Sequence, residues 1–359
     1  IAAIVTEQSS FSATLLSFFR AQAIPVIGNA KNVTKRVHQH QSITVDATNG
    51  KVFANDSISF AKTGDITTRL YAAVGNPELL ATAVPHVDGV ICHLEWQLMK
   101  EGLHPQAIIN NNQSSSFITN WLQKLEPELL TSQTAVLYKL SQLDSLELLS
   151  LKHGNRYETA EENPLLGYRG ATRYLRATGL LDFELQAVLQ LQKTLKRSIS
   201  IVVPFTRAPW ELELLNKKIT AWFSHSVWQP ALWWEISTLE NLFNLSAYLM
   251  HNPQGIYVNL KQIHALCSGI DPSQVALMSQ YPLTRKTVEF IVNSFTSSMK
   301  SAQFEVPANI LFQLDEGHTE ILEVLIDAGF SITVASKQAS VMKQRLLDIE
   351  QTNKEFRHQ

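Results

Sequence analysis

Eight short apolar runs recur along most of this chain, and between them the hydrophobic spacing turns helix-like. They are RLYAAV (69–74), DGVICHL (88–94), AVLYKL (135–140), SISIVVPF (198–205), PALWWEI (230–236), GIYVNL (255–260), ANILFQL (308–314) and FSITVA (330–335). Strand-like runs separated by helical patterns predict βα repeats on a parallel sheet, and eight of them predict a closed (β/α)8 TIM barrel within the α/β class. The segment 317–328 shows the helical pattern well: Ile321, Leu322, Leu325 and Ile326 share one face, Glu320, Glu323 and Asp327 the other, and Gly329 supplies the stop. The third connection is longer than the roughly two to six residues usual for such units. It runs from about Ser141 through NRYETAEENPLLGYRG to a helix near Asp182, and long loops on this face of a barrel tend to carry function.

Ahead of the barrel, AAIV, SATLLSFFRAQ, IPVIG, SITVD and KVFA alternate strand and helix patterns, with Asn49-Gly50 as a tight turn between the last two. This predicts a small α/β module over residues 1–61, with the barrel over 62–359. The chain opens at Ile1 in a strand-like run without Met, so we expect it to be a piece of a longer gene product.

Composition narrows the classes of function. With 45% hydrophobic residues in 359, disorder is excluded, and 30 Lys+Arg against 32 Asp+Glu leave no polybasic grip for nucleic acid or anionic membrane. No apolar run approaches the roughly 18 residues of a membrane span. Cys92 and Cys267 stand far apart outside any CxxC setting, so neither a disulfide framework nor a thiolate metal site is expected, and a reducing cytoplasm fits.

Residues at the strand C-termini are the site candidates in a barrel. Here they are His93, Glu95, Lys139, Arg169, Thr206, Arg207, Glu235, Asn259 to Gln262, and Leu311 to Gln313. The set is mostly cationic, with Lys261 among the bases and Glu235 as the main carboxylate, which suits a small anionic ligand. The bland alternatives are concrete. Arg169 could pair with Glu161 or Glu162 to stiffen the long loop, and Glu235 could pair with Lys261 on the neighbouring strand end, about 4.8 Å away in strand spacing. His93, beside Cys92 and Trp96, reads as a wall residue, while Lys261 and His264 read equally as a new site or as an exposed helix start. His38 and His40 read as loop residues with no third ligand. One of Trp233 and Trp234 should fill the barrel while the other faces the helices.

The segment EENPLLGYRGATRYL, residues 161–175, resembles the NPxLGxRG signature of the phosphoenolpyruvate-utilising enzymes, the synthase branch above all. AAIVT, IPVIG and ITVDATNGKVF resemble that family's swivelling phosphohistidine domain, VGNP (74–77) its first barrel strand, and VDGVICHLEW its GLxRxEF strand. The resemblance implies a phosphotransfer between ATP, a histidine on the mobile domain, and pyruvate held with Mg²⁺ at the barrel mouth. The histidine belongs in a GGxTxHAA turn. This chain reads SSFSATLLS there, with Ser9 and Ser10 for the glycines and Thr14 at the histidine position.

The barrel departs from the family pattern in the same direction. His93 stands at the GLxRxEF arginine and Lys139 at the arginine ending the third strand, while Arg169 retains the phosphate-binding arginine. Glu235 corresponds to one metal ligand. Lys261 falls at the family's asparagine, Gln262 at its metal-binding aspartate, Pro272 at the GLDR arginine, and Leu311 near its proton-donating cysteine. Losing a covalent nucleophile alone costs on the order of 10⁶-fold in rate. The resemblance therefore implies a catalytically degenerate synthase-like protein that binds a small anion or a partner protein, with no resident cofactor and Mg²⁺ only if the site were active. It also implies a homodimer through the barrel. The alternatives are a divergent ATP- and Mg²⁺-dependent phosphotransferase interconverting pyruvate and phosphoenolpyruvate, and a structural or regulatory dimer module.

Overall fold

The computed structural model describes residues 3–7, 25–28, 30–39, 41, 43–46, 51–53 and 66–357, apart from 133, 178, 272–273, 279, 302–308 and 315–318. Two compact units divide the chain, residues 1–65 and 66–359. In the first, β1 (Ile4–Val5) runs parallel to β2 (Val26–Ile27), and β3 (Thr44–Asp46) pairs antiparallel with β4 (Lys51–Phe53). The helix expected over SATLLSFFRAQ, Thr14, His40 and the Asn49-Gly50 turn lie outside the described residues.

In the second unit each of the eight predicted runs holds one strand: β5 (Leu70–Ala73), β6 (Gly89–Cys92), β7 (Ala135–Lys139), β8 (Ser200–Val203), β9 (Leu232–Ile236), β10 (Gly255–Asn259), β11 (Ile310–Gln313) and β12 (Ser331–Ala335). They pair in chain order, all parallel, and β12 returns to β5 to close the barrel.

Period-two alternation sorts the strand side chains onto two sides of the sheet. Tyr71, Ile91, Leu137, Val202, Trp233, Tyr257 and Leu311 form their own buried cluster, which fills the lumen. Their neighbours Leu70, Val90, Tyr138, Ile201, Trp234, Ile256, Phe312 and Ile332 belong to the larger core beneath the helices. Trp233 thus fills the barrel, while the Trp234 ring stacks on Tyr248 at 4.2 Å and donates its indole N–H to Thr206 Oγ1 at 2.8 Å. Glycine makes room for the lumen aromatics. Gly89 lies level with Tyr71 and Gly255 level with Trp233, and a Cβ at either glycine would run into the neighbouring ring. Burying side chains of this size contributes about 1.5–3 kcal/mol each.

The helix Thr319–Asp327 ends as its sequence predicts. Gly329 turns at φ 74°, and the N–H groups of Gly329 and Phe330 reach back to the carbonyls of Ile326 and Leu325. Behind β12, the last helix (Ala339–Arg357) carries Glu350, whose carboxylate accepts the backbone N–H groups of Thr67 and Thr68 at 2.8 and 2.9 Å. No helix of the described residues is long and apolar enough to cross a membrane.

Candidate functional site

The side chains that end the lumen at its C-terminal face are polar, and alternation puts them there. Lys139, Glu235, Asn259 and Gln313 each lie two residues beyond an apolar lumen residue of the same strand. Glu235 is fully buried, and its Oε2 lies 3.0 Å from Lys139 Nζ. Asn259 donates its amide to Glu235 Oε1 at 2.9 Å, and the Tyr257 hydroxyl meets Gln313 Oε1 at 2.8 Å. The Lys139 ammonium also sits 5.1 Å above the Tyr257 ring. The cation facing Glu235 is therefore Lys139, and this corrects the expected pairing with Lys261. Lys261 is exposed on the first turn of the helix Leu260–Cys267, while Glu235 points into the lumen. Gln262 is buried on that same helix, and its Nε2 has no hydrogen-bond partner among the described residues. The groups around Glu235 are thus an ammonium and a carboxamide. Among the described residues, no three or more His, Cys, Asp or Glu side chains are grouped to hold a metal ion.

Across the mouth, the NPLLGYRG segment shapes a second feature. Glu161 folds back so that both carboxylate oxygens accept the Tyr168 N–H, at 2.9 and 3.0 Å. A Cβ on Gly167 would collide with that carboxylate. Gly170 adopts φ 57°, ψ −137°, and a Cβ there would stand 2.5 Å from the Phe205 Cβ, so only glycine fits this turn. Glu161 therefore serves backbone, and the expected ion pair between it and Arg169 is not formed. Instead the Arg169 guanidinium lies 4.8 Å from the centroid of the Phe205 ring. Arg169 is 7% exposed and has no ion pair or hydrogen bond from its side chain among the described residues, and its Nε is buried without a partner.

His93 follows β6, with Nδ1 3.5 Å from Glu95 Oε2. Burial pushes its pKa down, outweighing the opposing pull of Glu95, so the neutral imidazole is favoured. Leu311 is packed in the lumen cluster with Tyr257 and Trp233. Buried polar atoms without partners gather on this face. Besides Arg169 Nε and Gln262 Nε2 they include Ser237 Oγ, just past β9, and Thr333 Oγ1, level with Gln313. Glu235 Oε2 joins them, since it has ion-pair contact but accepts no directed hydrogen bond. Buried polar atoms are rarely unpaired, so such a cluster marks a place built to receive something polar.

Two networks escape sequence reasoning. His104 accepts the Gln106 N–H at Nδ1, and its Nε2 lies 3.2 Å from Glu158 Oε1, which also takes Arg173 Nη1 at 2.6 Å. These three residues border a cavity of about 220 Å³ with Tyr157 and Tyr168. A larger hollow of about 560 Å³ lies among Tyr174, Arg176, Asp182, Lys218 and Trp222. Neither is lined by a strand residue. The second network is Glu184, 1% exposed, which accepts the hydroxyls of Tyr138 at 2.8 Å and Tyr174 at 2.5 Å. Burial raises its carboxyl to about 7. No local pattern in the sequence marks either network, since their bonded side-chain pairs stand 10 to 54 positions apart.

Residues 66–228 match the family model described as PEP-utilising enzyme, PEP-binding domain. Among curated proteins, the chain is 21% identical to a probable phosphoenolpyruvate synthase of Staphylothermus marinus, over 96% of this chain and 45% of that protein. It is 25% identical to the phosphoenolpyruvate synthase of Escherichia coli, over 57% of this chain and 30% of that protein. The chain thus spans less than half the length of these relatives. Among solved structures, pyruvate kinase of Pyrobaculum aerophilum aligns with a TM-score of 0.43 at 11% identity, covering 79% of this chain and 72% of that one.

Proposed function

We propose, for a chain whose residues 66–228 match the PEP-binding domain of phosphoenolpyruvate-utilising enzymes, that it binds a small oxyanion at the barrel mouth without a metal ion and without phosphotransfer. The observation that carries this reading is the Arg169 guanidinium, buried on an aromatic face with no ion pair or side-chain hydrogen bond among the described residues. Such a cation is preorganised for phosphate or carboxylate oxygens, because its desolvation has already occurred on folding. The class of ligand follows from the relatives, and phosphoenolpyruvate and oxalate are the probes of choice.

The residues present do not fit a resident Mg²⁺. That ion wants carboxylate and water oxygens in octahedral array. Here Glu235, the carboxylate a metal would use, is in contact with an ammonium and an amide N–H, and the next candidate, Gln262, is neutral. Lys139 already neutralises the lumen carboxylate, so a dication there would meet a positive charge. The remaining chemistry is also unfavourable. Thr14 has no ring nitrogen to phosphorylate, and Leu311 has no proton to deliver. Arg169 holds the anion, Phe205 fixes Arg169, and the Lys139–Glu235 pair closes the lumen beneath.

Calorimetric titration with phosphoenolpyruvate, oxalate and pyruvate, with and without Mg²⁺, tests the reading. The expected outcome is binding that is indifferent to Mg²⁺ and lost in Arg169→Ala. Binding that requires Mg²⁺, or that survives loss of Arg169, would overturn it.

A further inference from the structure

Among the described residues the Arg169 side chain makes no hydrogen bond or ion pair, so other contacts must hold its guanidinium in place. The Phe205 ring lies against it, and this residue sits just past β8 with φ 48°. A left-handed backbone is uncommon for a bulky residue and costs on the order of 1–3 kcal/mol, so it persists only where the surroundings over-determine it. The second guanidinium on that ring is Arg207, also 4.8 Å from its centroid. Unlike Arg169, Arg207 makes four side-chain hydrogen bonds through its two terminal nitrogens. Its Nη1 donates to Thr172 Oγ1 at 2.8 Å and to the Arg169 carbonyl at 3.3 Å, while Nη2 donates to the carbonyls of Leu166, at 3.2 Å, and Gly167. Glu211 ties the two sides together, accepting the Arg207 backbone N–H at one oxygen and the Thr172 hydroxyl at the other, both at 2.6 Å. Burial lowers the pKa of Arg207, and the charge of Arg169 acts in the same direction, as expected for two guanidinia sharing one ring.

We infer that Arg207 is the positioning residue of the oxyanion site: it clamps the 166–172 loop and the Phe205 ring so that Arg169 presents its guanidinium to the ligand, which Arg207 itself does not touch. This deepens the anion-binding reading and rests on it. The donor count supports the division of labour. A guanidinium has five N–H donors, and four of the bonds that Arg207 makes go to the loop bearing Arg169. Lysine has no planar fork, so it cannot satisfy the same acceptors.

The test uses the full chain and has two arms. In the first, the side-chain Nε–Hε signal of Arg169 is followed by NMR, identified by its loss in Arg169→Ala. Against the Phe205 face it should carry an upfield ring-current displacement, and Arg207→Lys should move it toward the position of a free arginine. In the second, oxalate affinity is measured across a double-mutant cycle. Arg207→Lys alone should weaken binding about tenfold, and in an Arg169→Ala background it should change nothing further. An unmoved Arg169 signal, or effects that simply add, would overturn the inference. Failure of the wild-type chain to bind oxalate would sink the anion-binding reading, while the NMR arm still decides the clamp. Should Arg207→Lys fold poorly, Thr172→Val removes one acceptor of Arg207 together with the hydroxyl that Glu211 accepts, leaves the other three Arg207 bonds, and should move the Arg169 signal less, in the same direction.

Discussion

Glu235 and Glu184 are the most deeply buried carboxylates among the described residues of this barrel, and the protein deals with them in opposite ways. Glu235, inside the lumen, is met by the Lys139 ammonium at 3.0 Å and the Asn259 amide. Glu184, in the wall between β7 and the helix Leu180–Leu195, faces two tyrosine hydroxyls and the Ser141 N–H with no cation in contact among the described residues. Burial then dominates, and its carboxyl rises to about 7 despite the hydrogen bonds that oppose the rise. The lumen keeps its charge balanced by a partner; the wall keeps its carboxyl near neutrality by holding a proton. The difference follows from location. The wall is sealed by helices, so a phenol pair suffices, whereas the lumen ends at a mouth lined with cations.

The contrast can be broken most severely from the lumen side. Lys139→Met leaves Glu235 buried beside a thioether, and stability should fall by about 3–5 kcal/mol, read as the denaturant midpoint. Lys139→Met combined with Glu235→Leu removes both charges. It should recover most of that loss, since a buried pair exchanged for apolar residues of similar volume is often neutral. If the double variant is no better than the single one, the two residues do not act as a pair.

On the wall side the signature is pH dependence. A carboxyl raised from 4.5 to about 7 keeps its proton in the folded chain over a window where the unfolded chain has lost it. Its stabilising contribution is therefore complete below about pH 4.5 and disappears as pH rises through about 7. Glu184→Gln is permanently neutral and still accepts a hydrogen bond, so it should flatten that fall, a difference on the order of 3 kcal/mol across the window. Parallel stability curves for the two proteins would show that Glu184 does not titrate there.

The smallest effect belongs to Arg169. Since it makes no ion pair among the described residues, Arg169→Ala should change stability by only about 1 kcal/mol, mostly lost ring contact, while removing oxyanion binding. A large drop in melting temperature would mean that the residue is structural.

The barrel was legible because its signal is periodic and local: eight apolar runs, each with two-residue alternation, divide the tryptophans at 233 and 234 between lumen and wall. Gly329 announced its helix end for the same reason. Arg169 was legible through the motif around it, whose glycines at 167 and 170 serve a folded-back carboxylate and a positive φ. Partnerships were not legible. Lys139 and Lys261 each end or follow a strand at the mouth, and only side-chain direction decides which one meets Glu235. Phe205 reads as the end of an apolar run, and nothing in the sequence reveals its left-handed backbone or the two guanidinia on its ring.

Closure of the sheet also limits how this chain can be dissected. The matched segment 66–228 holds β5 to β8, so cutting at its end would separate β8 from β9 and β5 from β12. That fragment would present two raw strand edges and half of an unroofed lumen to water, a template for self-association. The matched half is thus a stretch of sequence, while the hydrogen-bonded unit of the fold runs once around the full ring.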